Sequence, residues 1–175
     1  MEKLGPRHPY VATSLNNIGS ALDSKGEHDK AVEYYTRALD IEMEKLGPRH
    51  PSVATSLSNI GSALHSKGEY DKAVEYYTRA LDIKMEKLGP RHPHVATSLG
   101  CIGSALDSKG EHDKAVEYHT RALDIRMERL GPRHPHVAAS LNNIGSALDS
   151  KGEHDKAVEY HTDRKSTRLN SSHSH

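Results

Sequence analysis

The sequence is dominated by an internal repeat with a period of 42 residues. The segment MEKLGPRHP begins at Met1 and recurs at Met43 and Met85, and a fourth copy, MERLGPRHP, begins at Met127. Between these segments the order of signals is constant: a proline, an apolar segment of helical period, a glycine turn, and a second such segment. A unit this short cannot enclose its own apolar surface, so the chain is restricted to folds in which neighbouring units stack.

The first periodic segment of each unit predicts an amphipathic helix, which we call helix A. In the first unit Val11, Leu15, Ile18 and Leu22 follow i, i+4, i+7, i+11 spacing, which places them on one apolar stripe. Pro9 precedes them and suits the first turn of a helix. We therefore expect this stripe to be the buried side of helix A.

The second periodic segment predicts another helix, helix B, after the turn at Gly26. Its apolar arc consists of Ala31, Tyr34, Tyr35, Ala38, Leu39, Ile41 and Leu46. Gly47 and Pro48 follow directly and end the helix. Each unit is therefore a helix, a tight turn, a helix and a stop, and we predict an all-α solenoid of stacked helix-turn-helix repeats.

Two positions differ freely between the copies. One position carries Glu42, Lys84 and Arg126, and the other carries Tyr10, Ser52, His94 and His136. The first of these series changes the sign of the charge from copy to copy. Such tolerance of substitution predicts that both positions face solvent.

The fourth copy ends abruptly. It matches the others through Thr162, after which Asp163 stands where they carry arginine. The segment DRKSTRLNSSH looks like an in-frame translation of a widely used sequencing adapter, so we predict that residues 163–175 are a non-native tail. A genuine polar tail is the alternative. The predicted array covers residues 1–162, with repeats at about 9–50, 51–92, 93–134 and 135–162. Met1 has the repeat phase of Met43, so we expect a fragment of a longer array.

Charge and cysteine content argue against several functional classes. Lys plus Arg and Asp plus Glu both total 24, so no net field attracts the chain to nucleic acid or to an anionic membrane. Cys101 is the single cysteine and cannot form an intramolecular disulfide. No apolar run approaches the length of a membrane span. We expect a soluble, cytoplasmic protein.

The unit resembles the tetratricopeptide repeat (TPR) along residues 11–162. The matching residues in the first copy are Leu15, Ile18, Gly19, Leu22, Gly26, Ala31, Tyr35 and Ala38. The period exceeds the family's usual value of about 34 residues, and the aromatic of helix B becomes His119 and His161 in the later copies. The longer unit and its HPxVA(T/A)SL opening look like the kinesin light chain and nephrocystin-3 class of these repeats.

The resemblance implies a right-handed superhelix in which helix A lines a concave groove for an extended peptide. The family uses an asparagine at the position of Asn17 to hold the peptide backbone, and an amide offers both a donor and an acceptor for this. Asn59 and Asn143 match it, whereas Cys101 replaces it in the third copy. The candidate groove residues are Thr13, Asn16, Asn17, Ser20, Asp23, Ser58, Asn59, Ser62, His65, Cys101, Ser104, Asp107, Asn142, Asn143, Ser146 and Asp149.

These polar residues also have interpretations that involve no ligand. Any amphipathic helix has a polar face, so a solvated face without a ligand is the other interpretation of the candidate groove. Helix A carries no Lys or Arg along this arc, and we therefore expect amide and hydroxyl contacts with the peptide. The histidines of the His-Pro-His segments lack a Cys or carboxylate cluster that would complete a metal site, so we expect neither metal nor cofactor.

The resemblance favours a protein-binding adaptor of the kinesin light chain type. A near-perfect array repeats the same surface and lacks the unique pocket that catalysis needs, so we do not expect an enzyme. A regulatory or oligomerising arm of a multidomain signalling ATPase or kinase is the alternative, and a structural spacer is a third. The expected partners are proteins or extended peptides, with self-association through uncapped ends.

Overall fold

The computed structural model describes the backbone of residues 4–171 and the side chains of residues 4–163. Over this range the chain consists of eight helices and contains no strand. The helices are α1 (Pro9–Ser24), α2 (His28–Leu46), α3 (Pro51–Ser66), α4 (Tyr70–Leu88), α5 (Pro93–Lys109), α6 (His112–Leu130), α7 (Pro135–Lys151) and α8 (His154–Ser171). The predicted all-α fold of helix-turn-helix repeats is therefore confirmed, with odd-numbered helices as helix A and even-numbered ones as helix B.

The chain divides into two compact units, Met1–Lys87 and Leu88–His175. In the first unit α1 packs on α2, α2 packs on α3, and α1 also contacts α3. In the second unit α5 packs on α6, α6 on α7 and α7 on α8, and α5 also contacts α7. The two A helices of each unit therefore lie side by side, which brings their polar arcs together.

Helix A begins in the same way in every copy, with a histidine cap followed by a proline. Nδ1 of His8 accepts a hydrogen bond from the backbone N–H of Tyr10 at 3.2 Å. This bond satisfies one of the N–H groups that a helix start leaves without a partner, while Pro9 has no N–H to satisfy. The same cap is made by His50, His92 and His134.

Each hairpin closes where a glycine of helix A lies against a ring of helix B. A Cβ atom on Gly19 would lie 2.7 Å from Cδ1 of Tyr35, and one on Gly61 would lie 2.8 Å from Cδ1 of Tyr77. Gly103 and Gly145 make the same close approach to His119 and His161. A side chain at these positions would displace the ring, so glycine sets the short distance between the helices.

The predicted apolar stripe of α1 is wrong at one residue. Leu15 is 7% exposed, but Ile18 is 44% exposed. The equivalent Ile60 in α3, which packs on α2, is only 1% exposed. Within the described residues no helix precedes α1, so nothing covers the side of α1 that carries Ile18. Burial of this position therefore depends on the preceding repeat and cannot be inferred from the helix's own pattern.

No helix in the described part of the chain is both long and apolar enough to cross a membrane.

The backbone of α8 remains helical past Thr162, up to Ser171. The predicted foreign origin of residues 163–175 stays a prediction, and Met1 and residues 172–175 lie outside the described range.

Candidate functional site

A concave pocket of about 360 Å³ lies in the first unit, between the A helices α1 and α3. It is lined by Thr13, Asn16, Asn17, Ser20, Glu42, Ser52, Thr55 and Asn59. Five of these residues were predicted from the sequence as groove residues. The lining consists almost entirely of amides and hydroxyls, as the polar arc of helix A predicts.

Helical spacing explains why these side chains converge. Asn16 and Asn17 each lie three or four residues from Thr13 and from Ser20, so all four side chains project from one side of α1. Asn59 is the equivalent of Asn17 on the neighbouring α3 and faces the same pocket. The contact between α1 and α3 turns two polar stripes into one polar groove.

The two neighbouring asparagines of α1 differ in their bonding. Asn16 is engaged inside the protein, because its Nδ2 donates to Oε1 of Glu42 at 3.1 Å and lies 3.0 Å from Oγ of Ser56. Asn17 and Asn59 have no hydrogen-bond partner among the described side chains. Asn16 therefore supports the groove, whereas the amides of Asn17 and Asn59 are available to a ligand.

Glu42 contradicts the prediction that its position is solvated. Its side chain comes from α2 and is only 4% exposed, and its Oε2 accepts a hydrogen bond from Ser56 Oγ at 2.7 Å. Burial raises the pKa of the Glu42 carboxyl, while the hydrogen bonds from Ser56 and Asn16 lower it. The carboxylate is thus held by two donors at the edge of the pocket.

The later copies explain how a buried position can change its charge. Nζ of Lys84 donates to Oγ of Ser58, which occupies the position of Asn16, at 3.4 Å. Arg126 is 9% exposed, and its Nη1 donates to Oγ of Ser140 at 2.8 Å. Gly100 occupies the position of Asn16 there, and a Cβ atom on it would lie 3.8 Å from Nη2 of Arg126. The side chain on helix A thus changes together with the charge on helix B.

The acidic residues at the margin of the predicted groove form local pairs at the hairpin turns. Oδ1 of Asp23 lies 2.6 Å from Nδ1 of His28, at the start of helix B. Asp107 pairs with His112, and Asp149 with His154, in the same way. In the second copy His65 instead packs edge-on against the ring of Tyr70, with centroids 5.5 Å apart. These four candidate residues therefore already have a structural role in joining the two helices.

The remaining candidates lie on the A helices at equivalent positions. Ser62 and Ser146 are exposed, and Cys101, Ser104, Asn142 and Asn143 are half-buried. Asn143 has no hydrogen-bond partner among the described side chains, as is the case for Asn17 and Asn59. Cys101 replaces that amide in α5.

A second pocket, of about 240 Å³, lies in the unit formed by residues 88–175. It is lined by Pro93, His94, Thr97, Arg126, Leu130, His134 and His136. Three of its positions are equivalent to positions of the first pocket: Thr97 to Thr13, Arg126 to Glu42, and His136 to Ser52. The two pockets therefore overlap in their position in the repeat, and a glutamate lines one where an arginine lines the other.

The first histidine of each His-Pro-His segment caps helix A, and the second supplies the backbone N–H that is capped. Nδ1 of His134 accepts from the backbone N–H of His136 at 3.1 Å, and the two rings stack with centroids 4.9 Å apart. Within the described residues no three His, Cys, Asp or Glu side chains are placed to hold a metal ion together. Four histidines, His8, His50, His92 and His134, are thus explained by the repetition of one cap.

The sequence interpretation missed the helix-B contribution to both pockets. Glu42 and Arg126 line the pockets, but the prediction assigned their position to solvent and the groove to helix A alone. A signal was present in the sequence, since positions 26 residues apart vary together: Asn16 with Glu42, Ser58 with Lys84, and Gly100 with Arg126. Paired change at a fixed spacing indicates contact rather than exposure.

Comparisons of the sequence and of the structure with known proteins point to the same family of repeats. A tetratricopeptide repeat family model matches residues 1–43, 25–86, 52–128 and 94–164. The chain is similar in structure to the nearly identical TPR-like repeats of a Podosopora anserina protein named after kinesin light chain, with 24% identity and a TM-score of 0.84 over 98% of this chain and 82% of that chain. A comparison with curated proteins finds no match.

Two further solved structures have the same fold. BtubC from P. vanneervenii is 24% identical, with a TM-score of 0.88 over 100% of this chain and 69% of that chain. MamA is 22% identical, with a TM-score of 0.69 over 92% of this chain and 80% of that chain. The predicted resemblance to kinesin light chain-like repeats is confirmed at the level of the fold.

Proposed function

This chain belongs to the tetratricopeptide repeat family, and from that premise we propose that it is a scaffold that binds an extended peptide segment of a partner protein. The binding surface is the polar arc of helix A, which in the first unit lines the pocket between α1 and α3. Its polar lining suits a peptide backbone, which presents alternating donors and acceptors along its length.

The observation that carries this proposal is the pair of available amides. Asn17 and Asn59 line the same pocket, and neither has a hydrogen-bond partner among the described side chains. A primary amide can donate to a peptide carbonyl and accept from a peptide N–H at the same time. Two such amides on adjacent helices can therefore fix both the position and the direction of an extended chain.

The long repeat of this chain resembles that of kinesin light chain-like adaptors. We propose the same general role, a non-enzymatic cytoplasmic adaptor, and the repeat fold supports a scaffold that binds proteins. Which partner protein binds depends on which peptide sequence the groove prefers.

Self-association is a second part of the proposal. Ile18 is 44% exposed, whereas the equivalent Ile60 is buried beneath its neighbours at 1%. The preceding repeat covers Ile60, and a second copy of the chain can cover Ile18 in the same way. Sedimentation velocity of the wild type and of Ile18→Asp tests this: the proposal expects concentration-dependent association that the aspartate removes.

Binding experiments with selected peptides test the groove. Twelve-residue peptides are selected by display against the chain, and their affinities are measured by fluorescence anisotropy. We expect Asn17→Ala/Asn59→Ala to weaken binding by at least tenfold, since each lost pair of hydrogen bonds contributes about 1 kcal/mol. The matched control is Thr36→Ala/Thr78→Ala, two exposed positions on helix B.

The outcomes separate clearly. Loss of affinity in the asparagine pair, with the threonine pair and the helical circular dichroism unchanged, supports the groove. Equal affinities for the wild type and the Asn17→Ala/Asn59→Ala variant would contradict the proposed groove, because the peptide would then bind elsewhere on the surface.

A further inference from the structure

The contact between α6 and α7 shows how a helix B of this chain covers the helix A that follows it. Val116 and Leu123 of α6 belong to the same apolar cluster as Val137 and Ile144 of α7. Val137 and Ile144 are only 1% and 0% exposed as a result. Each repeat of a stacked array contacts its neighbours through such faces, so a face of helix A has a complementary face on helix B.

The helix-A half of this contact lies open on α1. Ile18 holds the position of Ile144 in the repeat, but it is 44% exposed. Ser14 holds the position of Ser140, which is 0% exposed, and Ser14 is exposed as well. We call the side of α1 that carries Ser14 and Ile18 the leading face. It has the residues of a covered face without the cover.

The helix-B half of the same contact lies open on α8. Val158 holds the position of Val116 and is 61% exposed, whereas Val116 is half-buried. We call the side of α8 that carries Val158 the trailing face. The sequence has Lys165 at the position of Leu123, and the side chain of residue 165 lies outside the described range. The trailing face therefore keeps the valine of a covering face and has a lysine in place of its leucine.

The polar part of the contact between repeats accepts either charge from helix B. In the first unit the hydroxyl of Ser56 donates to Oε2 of Glu42 at 2.7 Å. In the second unit the hydroxyl of Ser140 accepts from Nη1 of Arg126 at 2.8 Å. A hydroxyl both donates and accepts, so the same serine position serves helices of either charge. Ser14 presents this hydroxyl on the leading face, which is therefore not restricted to one kind of helix B.

We propose that this chain associates head to tail, with the trailing face of one copy covering the leading face of a second copy. The inference rests on the self-association in the proposed function and adds the surface that meets Ile18. The occupant is a second copy because the two open faces are the two halves of a contact that the chain already makes between α6 and α7. Since the two faces differ, each contact leaves one face of each kind unused, and growth continues beyond a dimer unless a ring closes.

Complementation between two variants tests this arrangement. Ile18→Asp places a charge on the leading face and leaves the trailing face intact, and Val158→Asp does the reverse. An unpaired carboxylate is costly to bury, so we expect each variant alone to associate at least about tenfold more weakly than the wild type. An equimolar mixture of the two should form a heterodimer through the one intact pair of faces and grow no further. Sedimentation velocity measures the size of the species, and native mass spectrometry with one variant isotopically labelled identifies the heterodimer.

Two further variants separate the contact from general effects of charge or folding. Thr36→Asp is the matched control, because Thr36 remains exposed although α3 packs on α2, and it should associate like the wild type. Ile18 and Val158 are both exposed within one chain, so their variants should keep the helical circular dichroism of the wild type. Lys165→Leu restores the leucine of the other repeats and should tighten association at least about threefold, an effect that Ile18→Asp in the same chain abolishes. Unchanged association in Lys165→Leu would contradict a contact through α8.

The outcomes of the mixing experiment are distinct. A heterodimer in the mixture, with both variants monomeric alone, supports the head-to-tail contact. A mixture that stays monomeric while the wild type associates would overturn it. A Val158→Asp variant that still dimerises alone would also overturn it, since two leading faces would then pair, and would leave self-association standing. A monomeric wild type would remove both, whereas peptide binding at Asn17 and Asn59 is measured separately and does not depend on this result.

Discussion

The carboxylate of Glu42, on helix B of the first repeat, accepts a hydrogen bond of 2.7 Å from Ser56 on helix A of the second. The pair lies in the interface between the two repeats and is buried, with exposures of 4% and 0%. A charge at this place costs free energy unless its hydrogen bonds are complete. The contact between repeats is therefore partly polar, and its energy depends on protonation.

Glu42→Gln should raise the free energy of unfolding at pH 7 and have little effect near pH 4. Burial raises the pKa of Glu42 in the folded chain. As the pH rises above about 4.3 the unfolded chain ionises first, so the folded chain binds more protons and its stability falls through this window. Glutamine removes that loss and can keep both hydrogen bonds. Urea denaturation of both proteins at several pH values measures the difference, and a variant less stable at pH 7 would contradict it.

Glu86→Gln should show the opposite dependence and serves as the comparison. Glu86 is exposed, and its hydrogen bond from Nε of Arg49 at 2.7 Å lowers its pKa in the folded chain. Its stabilising contribution is present above the unfolded pKa and is lost as the pH falls through the folded pKa. The wild type should therefore exceed the variant slightly at pH 7 but not at pH 3. The difference should vanish in 1 M NaCl, which screens exposed pairs; persistence at high salt would argue against an ion pair.

Gly61→Ala should destabilise the first unit. Its Cβ would lie 2.8 Å from the ring of Tyr77, so the ring or the helix must shift. Overpacking of this kind costs about 1–3 kcal/mol, against a gain of about 1 kcal/mol from the helix propensity of alanine. Ser62→Ala, on the exposed neighbour, should change stability by less than about 0.5 kcal/mol. Chemical denaturation measures both, and Gly61→Ala in a Tyr77→Leu background should lose its penalty if the ring is the cause.

His119→Tyr should make the second unit less sensitive to acid. His119 is 2% exposed, and burial lowers its pKa, with Asp107 raising it and Arg126 lowering it further. The neutral ring is favoured in the folded chain, so stability is full above the unfolded pKa of about 6.5 and falls as the pH drops below it. Tyr35 and Tyr77 occupy the equivalent site against glycine in the first two repeats. A tyrosine stays neutral over the pH range of this experiment. Thermal unfolding at pH 7.5 and pH 5.5 measures the change, and an equal loss in both proteins would exclude His119 as the cause.

Much of the fold follows from the repeat alone. Helix A begins at a proline in each copy because proline tolerates the first turn, and glycine marks each turn because the backbone there has positive φ, as at Gly26 with φ of 83°. The exposure of Ile18 was missed because burial in a stacked array depends on the neighbouring unit. A periodic pattern reports the face of a helix but not what covers it.

The sequence predicts the polar face of helix A but not which of its side chains are free to bind a ligand. Asn16 and Asn17 both fall on the polar arc, and the sequence does not distinguish the amide that is used internally from the one that is available. That distinction arises from Glu42, which reaches Asn16 at 3.1 Å across the hairpin. Variation at the Glu42 position was interpreted as exposure, when it reflected a buried contact whose partner changes with it.

Photo-cross-linking of a bound peptide tests the location of the groove most directly. A display-selected peptide carrying a benzophenone group is irradiated in complex with the chain, and the labelled residues are identified by mass spectrometry. The account predicts that labels in the first unit fall on α1 and α3, around Asn17 and Asn59. Labels confined to the outer face of α2 and α4 would contradict it.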